Sequence, residues 1–349
     1  MNRETVILIT LISYKLILIG IGFWASKRTK TTADFFIGGK TLGPWVAAIS
    51  SSASASSAWS LLGVSGATYM MGFSALWIFP AVIGGYCFNW LWLAPRMKAM
   101  GEKTGAITLT EILMGKGAWA KPIALLASFA IVFSFSFYIA AQFQAAGTTF
   151  ADSFSMDVSN SIMLGTLIIL IYTLLGGFWA VSVTDTLQGL LMATTALLLP
   201  IFAIVQVGGL NELVIGLQAN FNASQLSWTG VHSGWMAVAF IFGMLGIGLG
   251  YPGQPHVVNR FMAVKDEKSI KAAKLIGICW AMIVYGGMMV VGLCARVLIP
   301  GAENNEQVLF GITNLLFNPI IAGIIIAAVL SAIMSTADSQ LLVAASSLS

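Results

Sequence analysis

Long apolar runs are the sequence feature that most constrains how this chain can fold. A helix of about 18 or more apolar residues is long enough to cross the hydrocarbon core of a bilayer. Such a helix also satisfies its own backbone hydrogen bonds, as an apolar environment requires. The sequence predicts nine spans, at about 5–24, 42–71, 73–95, 122–149, 159–179, 184–208, 234–252, 272–298 and 319–349.

The composition agrees with this prediction and excludes two other classes of protein. Charged residues make up 9% of the chain, against about 25% in a typical soluble domain. The strict alternation of apolar and polar residues that is typical of a membrane β-barrel is absent. We therefore expect an all-α polytopic membrane protein.

Basic residues predict the orientation, because cytoplasmic loops carry an excess of lysine and arginine. If the N-terminus lies outside, the inside segments are 25–41, 95–121 and 253–275, together with a tight turn near 181. They hold Lys27, Arg28, Lys30, Lys40, Arg96, Lys98, Lys103, Lys116, Lys121, Arg260, Lys265, Lys268, Lys271 and Lys274. The outside loops hold the acids Asp152, Asp157, Glu212, Glu303 and Glu306. The net charge of +4 thus indicates topology in a cell membrane rather than a nucleic-acid partner.

Other residue types argue against several functions. Cys87, Cys279 and Cys294 lie in predicted spans and are expected to be packing residues. His232 and His256 are interpreted as loop residues without the spacing of a zinc site. No phosphate loop of the form GxxxxGK followed by Ser or Thr is present, which favours an ion gradient over ATP as the energy source. We expect neither enzyme activity nor an organic cofactor.

Two predicted spans depart from uninterrupted apolar helix. Within 42–71, the stretch "ISSSASASSAWSLLG" is rich in serine, and 234–252 continues into "GMLGIGLGYPGQPH". Glycine and proline weaken a helix and free backbone carbonyls. Interrupted helices at matching places in two halves indicate the binding site of an inverted-repeat transporter. The alternative is that small residues merely allow close helix packing.

Shorter helices are expected outside these spans. Thr108-Leu109-Thr110-Glu111 has the spacing of a capping box and predicts a short helix at 108–115. The outside connection 209–232 is expected to contain a short surface helix. The first span is followed by a basic loop and is interpreted as a retained helix rather than a cleaved signal.

Three ionisable residues lie within or at the edge of spans, where charges are costly and indicate function. Asp338 is accompanied by Ser335, Thr336 and Ser339, and their oxygens suit a hard cation such as sodium. Asp185 is interpreted either as a functional residue or as a helix cap or first-turn acid. Lys15 is interpreted as a structural or snorkelling residue without a role in transport.

Four ordered motifs resemble the sodium:solute symporter family, closest to its sodium/proline branch. They are "ADFFIGGKTLGPWVAAISSSASASSAW", "GGFWAVSVTDTLQ", "GYPGQPHVVNRFMAVKDEKSIKAAK" and "AGIIIAAVLSAIMSTADSQLLV". The resemblance implies a leucine-transporter-like inverted-repeat fold. Residues 1–41 would form a leading helix and basic loop, 42–208 the first five-helix repeat, and 209–349 an outside loop and three helices of the second repeat. Because "SSLS" ends the chain within a span, we expect a truncated second repeat and a longer natural protein.

The resemblance also implies a sodium site between the first interrupted helix and the ninth span. Its ligands would be the carbonyls of Ala53, Ser56 and Ala332 and the hydroxyls of Ser335 and Thr336. Some members of the family hold a second sodium, here at the positions of Asp185, Ser335, Asp338 and Ser339. Sodium is the metal ion expected, as a co-transported ion.

The solute is implied to lie beside the interrupted helices, at Trp59, Tyr138, Gln142, Phe240, Ile247 and Gln254. Ala55 and Ile247 stand where the proline branch has an aspartate and a tryptophan. Trp59 and Tyr138 match residues near the solute in that branch, so proline remains the leading solute. Because of the two departures, another small amino or carboxylic acid fits almost as well.

Two functions of different classes stay open at this stage. One is sodium-coupled import of a small solute across the bilayer. The other is a symporter-like sensor domain of a longer signalling protein. A passive channel is disfavoured because no filter motif is present.

Overall fold

The computed structural model describes residues 2–26, 35, 37–154 and 156–348, without the side chains of 25, 26, 152, 153, 168, 169 and 171–176. Some of the predictions above therefore fall outside the described residues. They concern Lys27, Arg28 and Lys30 of the first basic loop, positions 33, 34 and 36 of the first motif, the side chain of Asp152, and Ser349.

Most described residues lie in helices. The α-helices are α1 Arg3–Ser26, α2 Pro44–Ser54, α3 Val64–Met71, α4 Ile78–Cys87, α5 Ala94–Thr104, α6 Leu109–Met114, α7 Ala120–Phe154, α8 Val158–Val207, α9 Leu210–Asn220, α10 Gly234–Gly246, α11 Pro255–Ala263, α12 Glu267–Leu298, α13 Val308–Leu316 and α14 Pro319–Leu348. Short 3₁₀ or π-helical segments lie at Gly38–Lys40, Trp59–Gly63, Gly72–Trp77, Phe88–Leu93, Ile247–Gly253 and Asn305–Gln307.

Seven described segments are long and apolar enough to cross a bilayer. They are Arg3–Trp24, Trp59–Thr104, Ala120–Ala151, Gly177–Val207, Gly234–Gly253, Glu267–Leu298 and Pro319–Leu348. The number differs from the nine predicted because 42–71 is interrupted and its second part runs on into 73–95. The predicted span 159–179 begins as a shorter apolar helix, Val158–Leu167. The protein is a multi-pass helical membrane protein, as the composition predicts.

The first interrupted helix consists of α2, a break at 55–57, and a continuation through Trp59–Gly63 into α3. Pro44 begins α2, where its missing N–H would have had no helical partner. The last carbonyls of α2 lose their regular partners at the break. Tyr86 donates from its hydroxyl to one of them, the Ser52 carbonyl, at 3.3 Å. The prediction that the serine run interrupts this helix is confirmed.

The second interrupted helix consists of α10, the 3₁₀ segment Ile247–Gly253, and α11, which begins at Pro255. The prediction of a basic inside loop at 253–275 is wrong for its first part. Every residue of α11 is buried, and α12 already begins at Glu267. The prediction failed because the polar residues His256, Asn259 and Arg260 of α11 are buried together with its apolar ones.

The entry of the first interrupted helix is fixed to the end of the second. The Leu42 N–H donates to the Ala263 carbonyl at 3.1 Å, and the Lys265 N–H donates to the Leu42 carbonyl at 3.0 Å. The two interrupted helices are therefore joined by backbone as well as by side chains.

Two predicted boundaries are wrong and two predicted helices are confirmed. The turn expected near 181 lies at Gly177, whose φ of 60° is a conformation that glycine adopts without steric cost. The loop expected from 95 begins only after α5 ends at Thr104. The capping box is present, since Thr108 accepts from the Glu111 N–H at 3.2 Å and Glu111 accepts from the Ile107 N–H at 2.8 Å. Helix α9 lies within the connection 209–232, as expected.

Helix α14 lies at the centre of the bundle. In its most apolar stretch of 18 residues, 83% of the residues are buried. The corresponding share in α7, on the outside of the bundle, is 11%. It packs against α1, α2, α7 and α8. On the α1 side, Tyr14 and Ser331 share a hydrogen bond of 2.5 Å between hydroxyls, and the Lys15 ammonium contacts the Met334 sulfur. This position makes α14 a scaffold on which side chains are held precisely.

Helix α8 approaches α2 closely at one glycine. A Cβ atom at Gly189 would lie 2.6 Å from a side-chain carbon of Ile49 and 3.1 Å from the Cβ of Ala53. The absence of a side chain here therefore brings α8, which carries Asp185, against the helix that ends at the break.

Candidate functional site

The two hydroxyls predicted as sodium ligands lie against the end of α2. Ser335 Oγ donates to the Ala53 carbonyl at 3.1 Å, and Thr336 Oγ1 donates to the Ser54 carbonyl at 3.1 Å. Ser335 Oγ is also 3.4 Å from the Ala332 carbonyl on its own helix. Because the end of a helix leaves its last carbonyls without their regular helical N–H partners, these oxygens can also accept from groups on α14.

Ser56 lies within the break itself. Its N–H donates to the Ala53 carbonyl at 3.0 Å, and its hydroxyl lies 3.5 Å from the Tyr285 hydroxyl. The structure thus brings together all five residues predicted for the first sodium. They are buried, with exposed fractions of 0% or 1%: Ala53, Ser56, Ala332, Ser335 and Thr336. The Ser54 carbonyl is a further oxygen that the sequence did not single out.

The chemistry of this oxygen set suits a hard monovalent cation. Hydroxyl and carbonyl oxygens replace the hydration shell of such an ion without adding a full negative charge. Within the described residues, no group of three or more His, Cys, Asp or Glu could hold a metal ion. The oxygen donors present fit sodium.

Asp185 lies close to the predicted sodium ligands, but its partner was not predicted. Arg260 Nη2 lies 2.7 Å from Asp185 Oδ2, and the two side chains are 2% and 0% exposed. The interpretation of Asp185 as a helix cap or first-turn acid is wrong, because it lies well inside α8. Arg260, counted among the loop residues by its charge, instead lies on the buried helix α11.

Arg260 joins four helices. Its Nε donates to Ser50 Oγ on α2 at 2.8 Å, and its Nη2 donates to Ser339 Oγ on α14 at 2.7 Å. Its Nη1 donates to the His256 carbonyl at 2.6 Å. With Asp185 on α8, these contacts satisfy most of the five donors of the guanidinium. A buried ion pair with this many partners fixes geometry more than it adds stability.

The other residues predicted for a second sodium surround the same ion pair. Ser339 Oγ donates to Asp338 Oδ1 at 3.0 Å and lies 3.4 Å from Asp185 Oδ2. Ser54 Oγ donates to Asp185 Oδ2 at 2.9 Å. Of the four predicted residues, Asp185 and Ser339 are held by Arg260, while Ser335 belongs to the first oxygen set.

A cavity of about 340 Å³ opens directly beside the break. Trp59 and Gln142, both predicted to contact the solute, line it, and so does Glu306. Gln142 Oε1 also accepts from the Ala58 N–H at 3.3 Å, which ties α7 to the first interrupted helix. The remaining lining residues are Ala58, Leu62, Gly63, Ala141, Gln144, Ala145 and Thr148.

The other predicted solute residues do not line this cavity. Tyr138 lies one turn before Gln142 on α7 and is 39% exposed. The Phe240 ring lies 5.0 Å from the His232 ring. Ile247 begins the 3₁₀ segment of the second interrupted helix, and Gln254 follows the end of that segment.

Sequence reasoning missed Arg260, His256, Tyr285 and Glu306. His256 was interpreted as a loop residue, but it lies on α11 with its Nε2 3.1 Å from the Ser54 carbonyl. One sequence signal could have placed His256 and Arg260, because proline favours the first position of a helix and Pro255 directly precedes His256. Residues four apart then share a helix face.

A family model described as "Sodium:solute symporter family" matches residues 35–349. The chain belongs to the sodium:solute symporter family. The resemblance inferred from four motifs is thus confirmed, and membership identifies the chain as a membrane symporter.

Three curated members of this family illustrate the relationship. The high-affinity proline transporter PutP of Bacillus subtilis (strain 168) is 36% identical over 334 residues, which cover 94% of this chain and 70% of that protein. The osmoregulated proline transporter OpuE of the same strain is 36% identical, with 97% and 69% covered. The sodium/proline symporter of Staphylococcus aureus (strain JH9) is 34% identical, with 99% and 68% covered. These relatives are transporters.

A solved structure shows the fold of the symporter. It is a substrate-bound, outward-open Na⁺-coupled sialic acid symporter, similar with a TM-score of 0.81 and 23% identity over 98% of this chain and 72% of that one. The predicted leucine-transporter-like fold is confirmed.

Proposed function

We propose that this symporter imports a small amino acid together with sodium, with proline as the leading solute. The observation that carries the proposal is the contact of Ser335 and Thr336 with the carbonyls of Ala53 and Ser54. Two hydroxyls and several helix-end carbonyls meet there. The family and the names of the proline-transporting relatives support the same function.

Sodium at this junction would affect solute binding through the first interrupted helix. An ion held by Ala53, Ser56, Ala332, Ser335 and Thr336 would join α14 to the end of α2. The cavity begins at Ala58 and Trp59, directly after the break. Ordering of the break by the ion would thus position one wall of the cavity, and the solute would favour sodium binding in return.

The proposal involves one sodium ion at this junction. A second ion at Asp185, Ser335, Asp338 and Ser339 would have to share Asp185 and Ser339 with the Arg260 guanidinium. Two cations in one buried cluster repel each other strongly. A second sodium therefore requires Arg260 to leave Asp185 during the cycle.

The cavity favours an amino acid over a simple carboxylic acid. Glu306 is the one charged side chain among its described lining residues. A carboxylate attracts the amine of a zwitterion and repels an anion. Gln142 and Gln144 offer amide groups to the solute carboxylate, and Trp59 offers an apolar ring. Tyr138, Phe240, Ile247 and Gln254 would reach the solute only if the cavity extends beyond these walls.

The proposed orientation places the N-terminus outside the cell membrane. Lysine and arginine of the segments 95–121 and 265–275 would then face the cytoplasm, in agreement with the positive-inside rule. In this orientation the Glu306 loop and the mouth of the cavity face outward.

Uptake by reconstituted full-length protein tests the solute and the coupling ion together. Proteoliposomes with an inward sodium gradient are expected to accumulate labelled proline, and those with a potassium gradient are not. Competition by other small amino acids and by short carboxylic acids ranks the solutes. Accumulation without sodium, or preference for an anion, would contradict the proposal.

Removal of either hydroxyl tests the sodium ligands. Ser335→Ala or Thr336→Ala is expected to weaken sodium binding by about 1–3 kcal/mol, since a buried polar partner is lost. Proline affinity should fall at limiting sodium and recover at saturating sodium. Thr313→Ala is the matched control, because this buried hydroxyl donates to the Leu309 carbonyl of its own helix. Unchanged sodium dependence at normal expression would remove both residues from the site.

A further inference from the structure

The hydroxyl of Tyr285 lies where the two interrupted helices meet. It is 2.8 Å from Ser60 Oγ and 3.5 Å from Ser56 Oγ, both on the first interrupted helix. It is also 2.8 Å from the Tyr251 hydroxyl, on the 3₁₀ segment of the second interrupted helix. One side chain thus contacts the irregular part of both helices.

The helix that carries Tyr285 is regular. Helix α12 runs from Glu267 to Leu298 without a break and packs against α2, α3, α4 and α8. Tyr285 itself is fully buried. Its hydroxyl is therefore held in place by a rigid element, while its partners lie on the two segments with irregular backbone.

The bonding capacity of this hydroxyl is fully used. A phenolic oxygen donates one hydrogen bond and accepts two, and it has three hydroxyl neighbours here. A shift of any one partner therefore changes the bonds that remain for the other two. An unmade bond at such a buried position is costly, so the three groups are expected to move together.

Ser56 and Trp59 connect this cluster to the two ligand sites. The Ser56 N–H donates to the Ala53 carbonyl, a predicted sodium ligand. The Trp59 ring lies 6.4 Å from the Tyr285 ring and lines the cavity. Ser56, Tyr285 and Trp59 thus form a chain of contacts from the predicted sodium site to the solute cavity.

We propose that Tyr285 is a positioning residue that transmits sodium binding to the solute cavity and to the second interrupted helix. This inference rests on the proposed function above. Sodium at the break fixes Ser56, which sets the hydrogen bonds of the Tyr285 hydroxyl. That hydroxyl then holds Ser60 beside Trp59, and Tyr251 on the other helix, in the solute-binding arrangement.

Tyr86 provides a matched control for the loss of one buried hydroxyl. Its ring lies 6.4 Å from that of Tyr285 and 5.1 Å from that of Tyr251. Its hydroxyl donates to the Ser52 carbonyl of α2, whereas Ser60 and Tyr251 bond to the Tyr285 hydroxyl. Tyr285→Phe and Tyr86→Phe therefore each remove one phenolic hydroxyl from the same aromatic cluster.

The experiment measures labelled proline binding to full-length protein at limiting and at saturating sodium. The ratio of the two dissociation constants is the coupling factor. Tyr285→Phe is expected to reduce this factor by about 2- to 30-fold, the range seen for residues within coupling networks. Sodium binding without proline should change little, and Tyr86→Phe should keep the wild-type factor.

The outcomes separate this inference from the function on which it rests. Absence of sodium-dependent proline binding in the wild type would overturn both. A normal coupling factor in Tyr285→Phe, beside a coupled wild type, would overturn the inference alone. An equal loss in Tyr86→Phe would also overturn it, because the effect would then come from packing of the aromatic cluster.

Discussion

The two interrupted helices are broken by different residue types, serine in the first and glycine and proline in the second. The cavities beside them differ accordingly. The cavity at the first helix has Gln142, Gln144, Thr148 and Glu306 in its wall. The cavity along the second helix, about 280 Å³, lacks charged and amide side chains among its described lining residues. These are Pro80, Ala81, Gly84, Gly85, Phe88, Leu245, Gly248, Leu249 and Pro252.

The difference follows from the residues that make each break. Serine hydroxyls supply hydrogen-bond partners in a buried break and leave carbonyls free for other groups. Glycine instead allows backbone to approach backbone, and at Gly248 a Cβ atom would lie 2.1 Å from the Ala81 carbonyl oxygen. The first break thus carries the polar chemistry, whereas the 3₁₀ segment of the second serves mainly for packing. Polar contacts on the second helix lie at Tyr251, whose hydroxyl is 2.8 Å from that of Tyr285, and in α11.

The largest effect is expected at Arg260, through which α11 contacts Ser50 of the first interrupted helix and Asp185 of α8. Arg260→Gln would leave Asp185 buried without its ion pair, which costs about 3–5 kcal/mol. The variant should show a large loss of thermal stability in detergent and little uptake. If it were no less stable than the wild type, the two helices would not depend on this contact.

Two further variants identify the cause of that loss. The double variant Asp185→Asn, Arg260→Gln removes both charges and should recover much of the stability, because the cost lies in the unpaired carboxylate. Arg296→Gln is the control for loss of an arginine, since Arg296 donates to the Asn220 carbonyl. A double variant as unstable as the single one would point to lost packing instead.

A smaller effect is expected from the packing of the second break. Gly248→Ala would force α4 and the 3₁₀ segment apart, since the obstacle is backbone, at a cost of about 1–3 kcal/mol. Gly250→Ala is the matched control two residues away, where a Cβ would meet no atom within 4 Å. Its stability should change by no more than about 0.5 kcal/mol. Equal behaviour of the two variants would show that the helices are not in close contact there.

The same contrast shows how much could be predicted from the sequence. The break at 55–57 was predictable, because a run of serines in an apolar span offers the backbone hydrogen bonds that compete with those of the helix. The five residues of the first sodium site followed from motif resemblance, and the structure brings them together. Spacing along the chain alone would not have paired Ala53 with Ser335, since they lie on separate helices.

Arg260 and Tyr285 were not predictable by the same reasoning. Arg260 lies among lysines that follow the positive-inside rule. Pro255 predicts the helix that carries Arg260, but nothing local distinguishes a buried arginine from an exposed one. Tyr285 lies in a regular apolar helix, where a tyrosine is an ordinary packing residue. Their importance comes from partners on other helices, so only the three-dimensional arrangement shows it. Phe240, placed beside the solute by the resemblance, instead has its ring 5.0 Å from that of His232, outside the walls of the first cavity.

The smallest effect is expected at the rim of the first cavity, where Glu306 is exposed to water. Glu306→Gln removes one attraction to the amine of proline, which solvent screens, so affinity should fall by only about two- to fivefold. Competition by cyclopentanecarboxylate, which has the ring and carboxylate but no amine, should not weaken and should improve slightly.

Glu303→Gln is the control, because that residue lines a different surface pocket. If proline and cyclopentanecarboxylate lost affinity equally, the Glu306 carboxylate would act on the shape of the loop rather than on the charge of the solute. If neither affinity changed, the amine of proline would have to lie deeper in the cavity, toward Gln142 and the break. The uncharged polar residues of the cavity wall would then recognise the solute without Glu306.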